Sequence, residues 1–116
     1  MVRFINTTKN TVLAENGVVA RSFWSRLVGL MGKSSLPSGE GLWLTNTNSI
    51  HMFFMRVPLC LIYLDEAGTV LRVVDHIKPW RIGPVVRGAR SVLELPAGTA
   101  ARTRTEVGDH LEWQER

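Results

Sequence analysis

The sequence predicts an α+β fold, in which a mainly antiparallel bent sheet or small β-barrel packs against one amphipathic helix. Two observations favour this class. Short apolar runs rich in β-branched residues alternate with Gly, Asn and Asp along most of the chain, which is typical of strands joined by turns. Only residues 22–32 show the apolar spacing of a helix that could pack on such a sheet.

The length and composition indicate one globular domain, residues 1–116, with one core. Hydrophobic residues make up 45% of the chain, yet no apolar run approaches the roughly 20 residues of a membrane-spanning helix, so we expect no membrane span. The first ten residues lack the apolar centre of an export signal, and cytoplasmic residence is therefore expected. The single cysteine, Cys60, excludes an intramolecular disulfide.

The first half of the chain contains two predicted strands and the helix. Residues 2–8 and 17–20 are β-branched runs separated by Asn, Lys and Glu. The helix at 22–32 begins with an N-capping serine, carries an apolar stripe on one side and ends at a glycine. One side of this helix should therefore lie against the sheet.

The second half is predicted to be a succession of strands and turns. In chain order these are a strand at 42–46, a hairpin of 59–65 and 69–77, a loop at 78–89, a strand at 91–96, a helical turn at 97–105 and a closing turn and strand at 107–113. Alternation along the strands predicts that Leu42 and Leu44 share one face while Trp43 faces the other way. It also predicts that Glu94 points outward or into a polar pocket.

Positive charge is concentrated in the second half of the chain. The net charge is +4, and the segment 77–90 contains Lys78, Arg81, Arg87 and Arg90 without any acidic residue. Such a segment attracts anions, although a solvated basic loop explains it equally well. A nucleic-acid partner is disfavoured, because affinity for nucleic acid depends on many phosphate contacts and this excess is mild.

Six segments in order resemble a known family. They are "RLVGLMGK" at 26–33, "IHMFFMRVPL" at 50–59, "IYLDEAGTVLRVV" at 62–74, "KPWR" at 78–81, "VLELPAG" at 92–98 and "VGD" at 107–109. Together they resemble the small bacterial and archaeal family known as domain of unknown function 192, over about residues 12–113. The resemblance implies a compact β-rich domain and no established biochemical activity.

The family's marks can be placed residue by residue on this chain. They are Arg26, Gly29, Leu30, Met31, Phe53, Met55, Arg56, Pro58, Asp65, Gly68, Pro79, Glu94, Gly98, Gly108 and Asp109. One departure concerns chemistry, because the family usually has an aspartate after the Pro-Leu pair and this chain has Cys60. If that carboxylate transferred protons, this protein lacks it; if it is structural, a small buried cysteine can replace it.

The candidate ligand-binding residues are cationic, aromatic or soft side chains in the central stretch, the helix and the loop: Arg26, His51, Met55, Arg56, Trp80 and Arg81. Arg26 and Arg56 could converge on a carboxylate or phosphate in bidentate fashion, or could instead pair with internal acids as structural clamps. Trp80 lies in a predicted loop, where binding residues are frequent, but it could equally be a lid over the end of a barrel. Trp43 and Phe54 could rim the same groove.

Two chemical alternatives concern the central stretch. His51, Met52 and Met55, with Cys60 nearby, have the ligand types that suit Cu(I), although Met in this context is more often core filling. Cys60 could act as a nucleophile, with His51 or His76 as the base and Asp75 or Asp65 orienting that histidine, but its apolar surroundings favour a buried, inert thiol. We therefore expect no metal site and no cofactor.

The sequence thus favours a soluble, non-catalytic binding or accessory module for an anionic small molecule or a protein segment. The alternative is an enzyme of unrecognised type, in which His51, Asp65 or Asp109 transfers protons and the arginines stabilise negative charge. Soft-metal binding is a minor alternative. The oligomeric state and the identity of the ligand stay open at this point.

Overall fold

A single curled sheet organises the part of the chain that the computed structural model describes, residues 2–20, 39–49 and 58–115. Its elements are β1 (Val2–Asn6), β2 (Thr11–Ala20), β3 (Glu40–Thr45), β4 (Leu59–Leu64), β5 (Val70–Ile77), β6 (Ser91–Pro96), α1 (Thr99–Thr103) and β7 (Leu111–Glu115). The strand order is β5-β4-β6-β3-β2-β1-β7. The helix predicted at 22–32 lies outside the described residues.

Strand pairing in this sheet is mainly antiparallel, as predicted, with β2 and β3 as the one parallel pair among the described strands. The predicted hairpin is confirmed, since β4 and β5 pair across the turn after Leu64. The second strand is longer than predicted and begins at Thr11. The described fold is therefore largely β with one small helix, which is a more strongly β architecture than the predicted α+β class.

The two edges of the sheet meet at one corner. Thr69, just before β5, forms an isolated antiparallel bridge with His110, just before β7. The N–H of Val70 donates to the carbonyl of Asp109 over 2.8 Å, and the N–H of Leu111 donates to the carbonyl of Gly68 over 2.9 Å. These hydrogen bonds curl the sheet toward a half-barrel, as the predicted bent sheet requires.

Two apolar clusters lie on opposite faces of the sheet. The first takes side chains from nearly every strand and from α1, so it fills the concave interior: Val2, Phe4, Leu13, Ala14, Cys60, Ile62, Leu64, Val70, Leu93, Leu95, Ala100 and Leu111. The second lies on the other face of β3 to β6: Leu42, Leu44, Leu59, Leu61, Tyr63, Ile77, Ala89 and Val92. β4 is consequently buried along its whole length.

The helix α1 lies against β2 and β5 and is capped from outside its own sequence. A bulge in β5 sets Asp75 and His76 opposite Cys60, between the pairs Leu59 with Ile77 and Leu61 with Val74. Asp75 Oδ1 accepts hydrogen bonds from the N–H groups of Gly98 and Ala100, and Oδ2 accepts one from Ala101. The helix thus obtains its cap from a neighbouring strand.

No helix in the described ranges is both long and apolar enough to span a membrane.

Candidate functional site

Two of the six predicted site residues, Trp80 and Arg81, lie in the described part of the chain. Arg26, His51, Met55 and Arg56 lie outside it, and so do Met52 and Phe54 of the metal and groove interpretations. The described part of the candidate site is therefore the segment that carries Trp80 and Arg81. That segment is the basic loop, residues 78–90, which connects β5 to β6.

The basic loop is fastened to the sheet at several points. The Tyr63 hydroxyl, from the outer apolar cluster, donates to the carbonyl of Pro84 over 2.8 Å. The N–H of Val86 donates to the carbonyl of Asn48, and the N–H of Arg90 donates to the carbonyl of Leu64. Burial raises the pKa of Tyr63 to about 12, so its hydroxyl keeps the proton that it donates. These hydrogen bonds fasten the base of the loop to the sheet, and the outer side chains of the loop are exposed.

Large apolar side chains project from this loop. Trp80 is 58% exposed, Ile82 is 68% exposed and Val85 is 71% exposed. Trp80 also has a left-handed backbone conformation, with φ at 66°, which is uncommon for a bulky residue. Isolated apolar residues are ordinary on a protein surface, but three within six positions form a local concentration.

The same loop also carries four exposed cations. Lys78, Arg81, Arg87 and Arg90 are all exposed, and none of them forms an ion pair with any described residue. The loop contains four of the fourteen Lys and Arg residues and none of the ten acids, so the rest of the chain carries ten of each sign. The charge of this loop therefore equals the net charge of the whole protein, because the charges in the rest of the chain cancel.

Trp43 is half-buried and packs against the interior cluster. As the alternation predicted, it lies on the face of β3 opposite Leu42 and Leu44, and its ring contacts Phe4 at 5.4 Å and Trp113 at 4.6 Å between centroids. With Trp113 it lines a cavity of about 200 Å³. Its position follows from the curl of the sheet, which turns that face of β3 into the interior.

Glu94 is the buried ionisable residue of the outer cluster. It is 4% exposed, and its cross-strand neighbours are Leu42 on β3 and Leu61 on β4. No described residue donates a hydrogen bond to Glu94 or forms an ion pair with it. Burial raises the pKa of Glu94 to about 8, so the carboxyl is mostly protonated at neutral pH. The predicted outward orientation is wrong, because β6 is a central strand that is covered on both faces.

Cys60, which stands where the resemblance implies an aspartate, is a buried structural thiol, as predicted. It is fully buried in the interior cluster, where burial and the neighbouring Asp75 carboxylate raise the pKa of the thiol. A thiol in this state is a poor nucleophile. Asp75 and His76 do lie beside it on the bulge, but Asp75 is occupied in capping α1.

The two acids of the enzyme interpretation that are described both stabilise turns. Asp65 Oδ1 accepts hydrogen bonds from the N–H groups of Ala67 and Thr69, which fixes the β4–β5 turn. Asp109 is buried, which disfavours its charge, but hydrogen bonds from Asn6 and Lys9 outweigh burial and hold the pKa of Asp109 below its ordinary value. Ionised Asp109 therefore links Asn6, at the end of β1, to the segment that precedes β7.

Within the described ranges no three His, Cys, Asp or Glu side chains are grouped so that they could hold a metal ion.

Sequence reasoning missed two members of the exposed surface, Ile82 and Val85. Both lie beside the breakers Gly83 and Pro84, in a segment already predicted to be a loop. An apolar side chain in such a segment has no strand or helix to bury it, and this signal could have identified both residues.

Comparison with known proteins agrees with the resemblance. Residues 4–113 match the model of domain of unknown function 192, described as an uncharacterized ACR. A UPF0127 protein of Thermococcus sibiricus is 32% identical over 118 residues, covering 95% of this chain and 73% of that protein. A UPF0127 protein of Pyrococcus horikoshii is 33% identical over 112 residues, covering 94% and 96%.

A crystal structure of a protein of unknown function from Novosphingobium aromaticivorans has the same fold. Its TM-score against this chain is 0.81 at 24% sequence identity, over 97% of this chain and 83% of that one. At this identity the likeness concerns the fold alone.

Proposed function

Because the chain belongs to the uncharacterized family known as domain of unknown function 192, we propose from its own residues that it is a non-catalytic binding or accessory module for an anionic partner. The partner is a small anionic molecule or an acidic segment of another protein. One observation carries this proposal: the basic loop presents four exposed cations and three exposed large apolar side chains, and it contains no acid.

Electrostatics supports an anionic partner for this loop. A cation that already pairs with an internal acid gains little from a ligand, but the four cations of the loop have no such partner among the described residues. Arginine presents planar donors that match carboxylate and phosphate oxygens, and the loop has three arginines. Local charge of one sign also speeds the approach of an oppositely charged ligand.

Arg26, His51, Met55 and Arg56 remain predicted members of the same site as Trp80 and Arg81. The family resemblance includes the segments at 26–33, 50–59 and 78–81, which carry all six residues. Trp80 adds a stacking surface to the cations around it.

Binding to soluble anions tests this proposal. The ¹⁵N-labelled protein is titrated with inorganic pyrophosphate and, separately, with a peptide rich in Glu and Phe, and amide shifts are mapped on the chain. Shifts concentrated in residues 78–90 are expected with at least one probe, and they should weaken as salt rises.

Charge reversal in the loop provides the control. Arg81→Glu with Arg87→Glu should weaken binding by about tenfold or more. Arg102→Glu with Arg104→Glu changes net charge equally at exposed positions outside the loop and should leave binding nearly unchanged. Equal losses in both variants, or shifts spread over the whole surface, would contradict a site on the loop.

A second candidate function is an enzyme, and the buried Glu94 favours it. A carboxyl that is kept protonated in an apolar environment is suited to general-acid catalysis near neutral pH. Turnover of chromogenic phosphate, carboxyl and glycosyl esters by the wild type, lost in Glu94→Gln with the fold intact, would support this candidate. No turnover favours the binding module, whereas equal turnover in both proteins would exclude Glu94 from the reaction and contradict a non-catalytic module.

A further inference from the structure

We infer that the anionic partner of the basic loop is the surface of an anionic lipid bilayer, into which the loop inserts Trp80, Ile82 and Val85. This inference rests on the proposed function in taking the partner to be anionic, and it goes beyond that proposal by replacing the soluble partner with the headgroups of a lipid surface. It follows from the shape of the loop, from its charge and from the way it is fastened to the sheet.

The exposure of the three apolar side chains indicates a projecting surface. A side chain that lines a groove is partly covered by the opposite wall, whereas Trp80, Ile82 and Val85 are each more than half exposed. A projecting apolar side chain gains free energy by entering an apolar environment, and a bilayer surface provides one without a matching cavity. Tryptophan is also enriched at the depth of the lipid headgroups.

The cations lie on both sides of the apolar residues along the chain. Lys78 and Arg81 lie at the beginning of the loop, and Arg87 and Arg90 lie at its end. When the apolar side chains enter the bilayer, these cations can stay at the level of the headgroups. Each basic residue near an anionic leaflet adds to the attraction, and an acid in the loop would oppose it. The composition of the loop therefore complements an anionic bilayer.

The base of the loop is rigid enough to present these residues. Tyr63 holds Pro84, and the N–H of Ala89 donates to the carbonyl of Val86 within the loop. Gly88 has φ at 89°, a left-handed conformation that lets the chain turn back toward β6. Because the base is fixed, little conformational freedom has to be lost when the outer side chains insert.

Vesicle co-sedimentation tests the inference. The full chain is mixed with large unilamellar vesicles of phosphatidylcholine alone, or of phosphatidylcholine with phosphatidylglycerol, and the bound fraction is measured against lipid concentration. We expect binding to the anionic vesicles only, with a partition coefficient that falls by at least about tenfold in Arg81→Glu with Arg87→Glu.

A second pair of variants separates insertion from adsorption by charge alone. Ile82→Ser with Val85→Ser should weaken binding by at least about fivefold. Val18→Ser with Val107→Ser alters two exposed valines outside the loop and should not weaken it. Circular dichroism is used to check that both double variants are folded. All four substituted positions are exposed.

Each outcome decides between the two proposals. Anionic-vesicle binding that both loop variants weaken supports the inference. Vesicle binding that Ile82→Ser with Val85→Ser leaves unchanged overturns insertion. Binding of the acidic peptide or pyrophosphate at the loop without vesicle binding overturns the inference and leaves the proposed function standing. If neither soluble anions nor vesicles bind the loop, both proposals are wrong.

Discussion

Glu94 and Asp109 are two buried carboxyls that the fold treats in opposite ways. Glu94 lies between Leu42 and Leu61 without a described hydrogen-bond donor, and burial keeps it protonated. Asp109 receives hydrogen bonds from Asn6 and Lys9, which keep it ionised despite its burial. Burial, with no described donor to offset it, keeps Glu94 neutral, whereas the donors around Asp109 outweigh the cost of burying its charge.

We predict that Glu94 makes the stability of the protein fall as the pH rises. The pKa of Glu94 is about 8 in the folded chain, against 4.5 ordinarily, so between these values the folded state binds a proton that the unfolded state has lost. The free energy of unfolding should fall with pH in this window, by at most about 1.4 kcal/mol per pH unit. Urea unfolding at a series of pH values measures the slope.

The Glu94→Gln variant should remove most of this slope, because its amide does not titrate. Glu66→Gln, at an exposed position, should retain it. A wild-type stability that is flat from pH 4.5 to 8 would show that Glu94 is not held protonated by the fold.

We predict that Asp109→Ala destabilises the protein by about 2 to 3 kcal/mol, because one N–H of the buried Asn6 amide loses its acceptor, while the bond to the Thr105 hydroxyl remains. Glu106→Ala removes a more exposed ion-pair partner of Lys9 and should cost much less. Chemical denaturation of both variants makes the comparison. Equal losses would mean that the hydrogen bond from Asn6 to Asp109 contributes nothing of its own.

At the scale of single elements, a bulge in β5 stabilises the neighbouring helix α1. The bulge near its end sets Asp75 toward Gly98 and the first turn of α1, whose own cap position supplies no side-chain hydrogen bond. Sequence reasoning considered Asp75 only as a partner for catalysis. Its actual partners are backbone N–H groups more than 20 residues away, and local sequence does not reveal them.

We predict that Asp75→Ala loosens α1 and costs about 1 to 2 kcal/mol, the usual effect of losing a helix cap. Hydrogen exchange of the Ala100 and Ala101 amides should quicken, while exchange at the centre of β4 changes little. Asp75→Asn keeps one carbonyl acceptor and should recover part of the protection. If Ala100 exchanges equally in the wild type and Asp75→Ala, the cap does not stabilise the helix.

At the scale of the whole molecule, the contact between the β4–β5 turn and β7 closes the curl of the sheet. Gly68 lies at this contact with φ at 91°, and a Cβ built there would be 2.6 Å from the carbonyl oxygen of Leu111. The close approach allows Leu111 to donate its N–H to the carbonyl of Gly68. Two distant segments thus require a glycine at this one position.

We predict that Gly68→Ala destabilises the protein considerably more than Gly108→Ala. Both glycines have positive φ, which costs alanine about 1 kcal/mol, but a Cβ at Gly108 meets no atom within 4 Å. The difference between the free energies of unfolding of the two variants in urea measures the cost of the close approach between a Cβ at position 68 and the carbonyl oxygen of Leu111. Similar losses of stability in the two variants would show that the chain around Gly68 can accommodate the Cβ at no cost in free energy.

The sequence predicted those parts of the fold that depend on local patterns. The hairpin of β4 and β5, the loop after β5, the turn of helix after β6 and the paired burial of Leu42 and Leu44 all follow from alternation, turn residues and breakers. The buried state of Cys60 follows from its apolar neighbours. For the candidate site, the sequence identified the cations of the basic loop, because their clustering is visible without coordinates.

Only the tertiary structure decided which face of each strand lies inside and which loop residues project. Glu94 is buried on the face of β6 that carries the outer cluster, and Trp43 is half-buried because the curl of the sheet brings it against Phe4 and Trp113. The exposure of Ile82 and Val85 depends on how Tyr63 holds the loop. The physical reason is the same in each case: alternation specifies that two faces differ, whereas the pairing of distant strands specifies what covers each face.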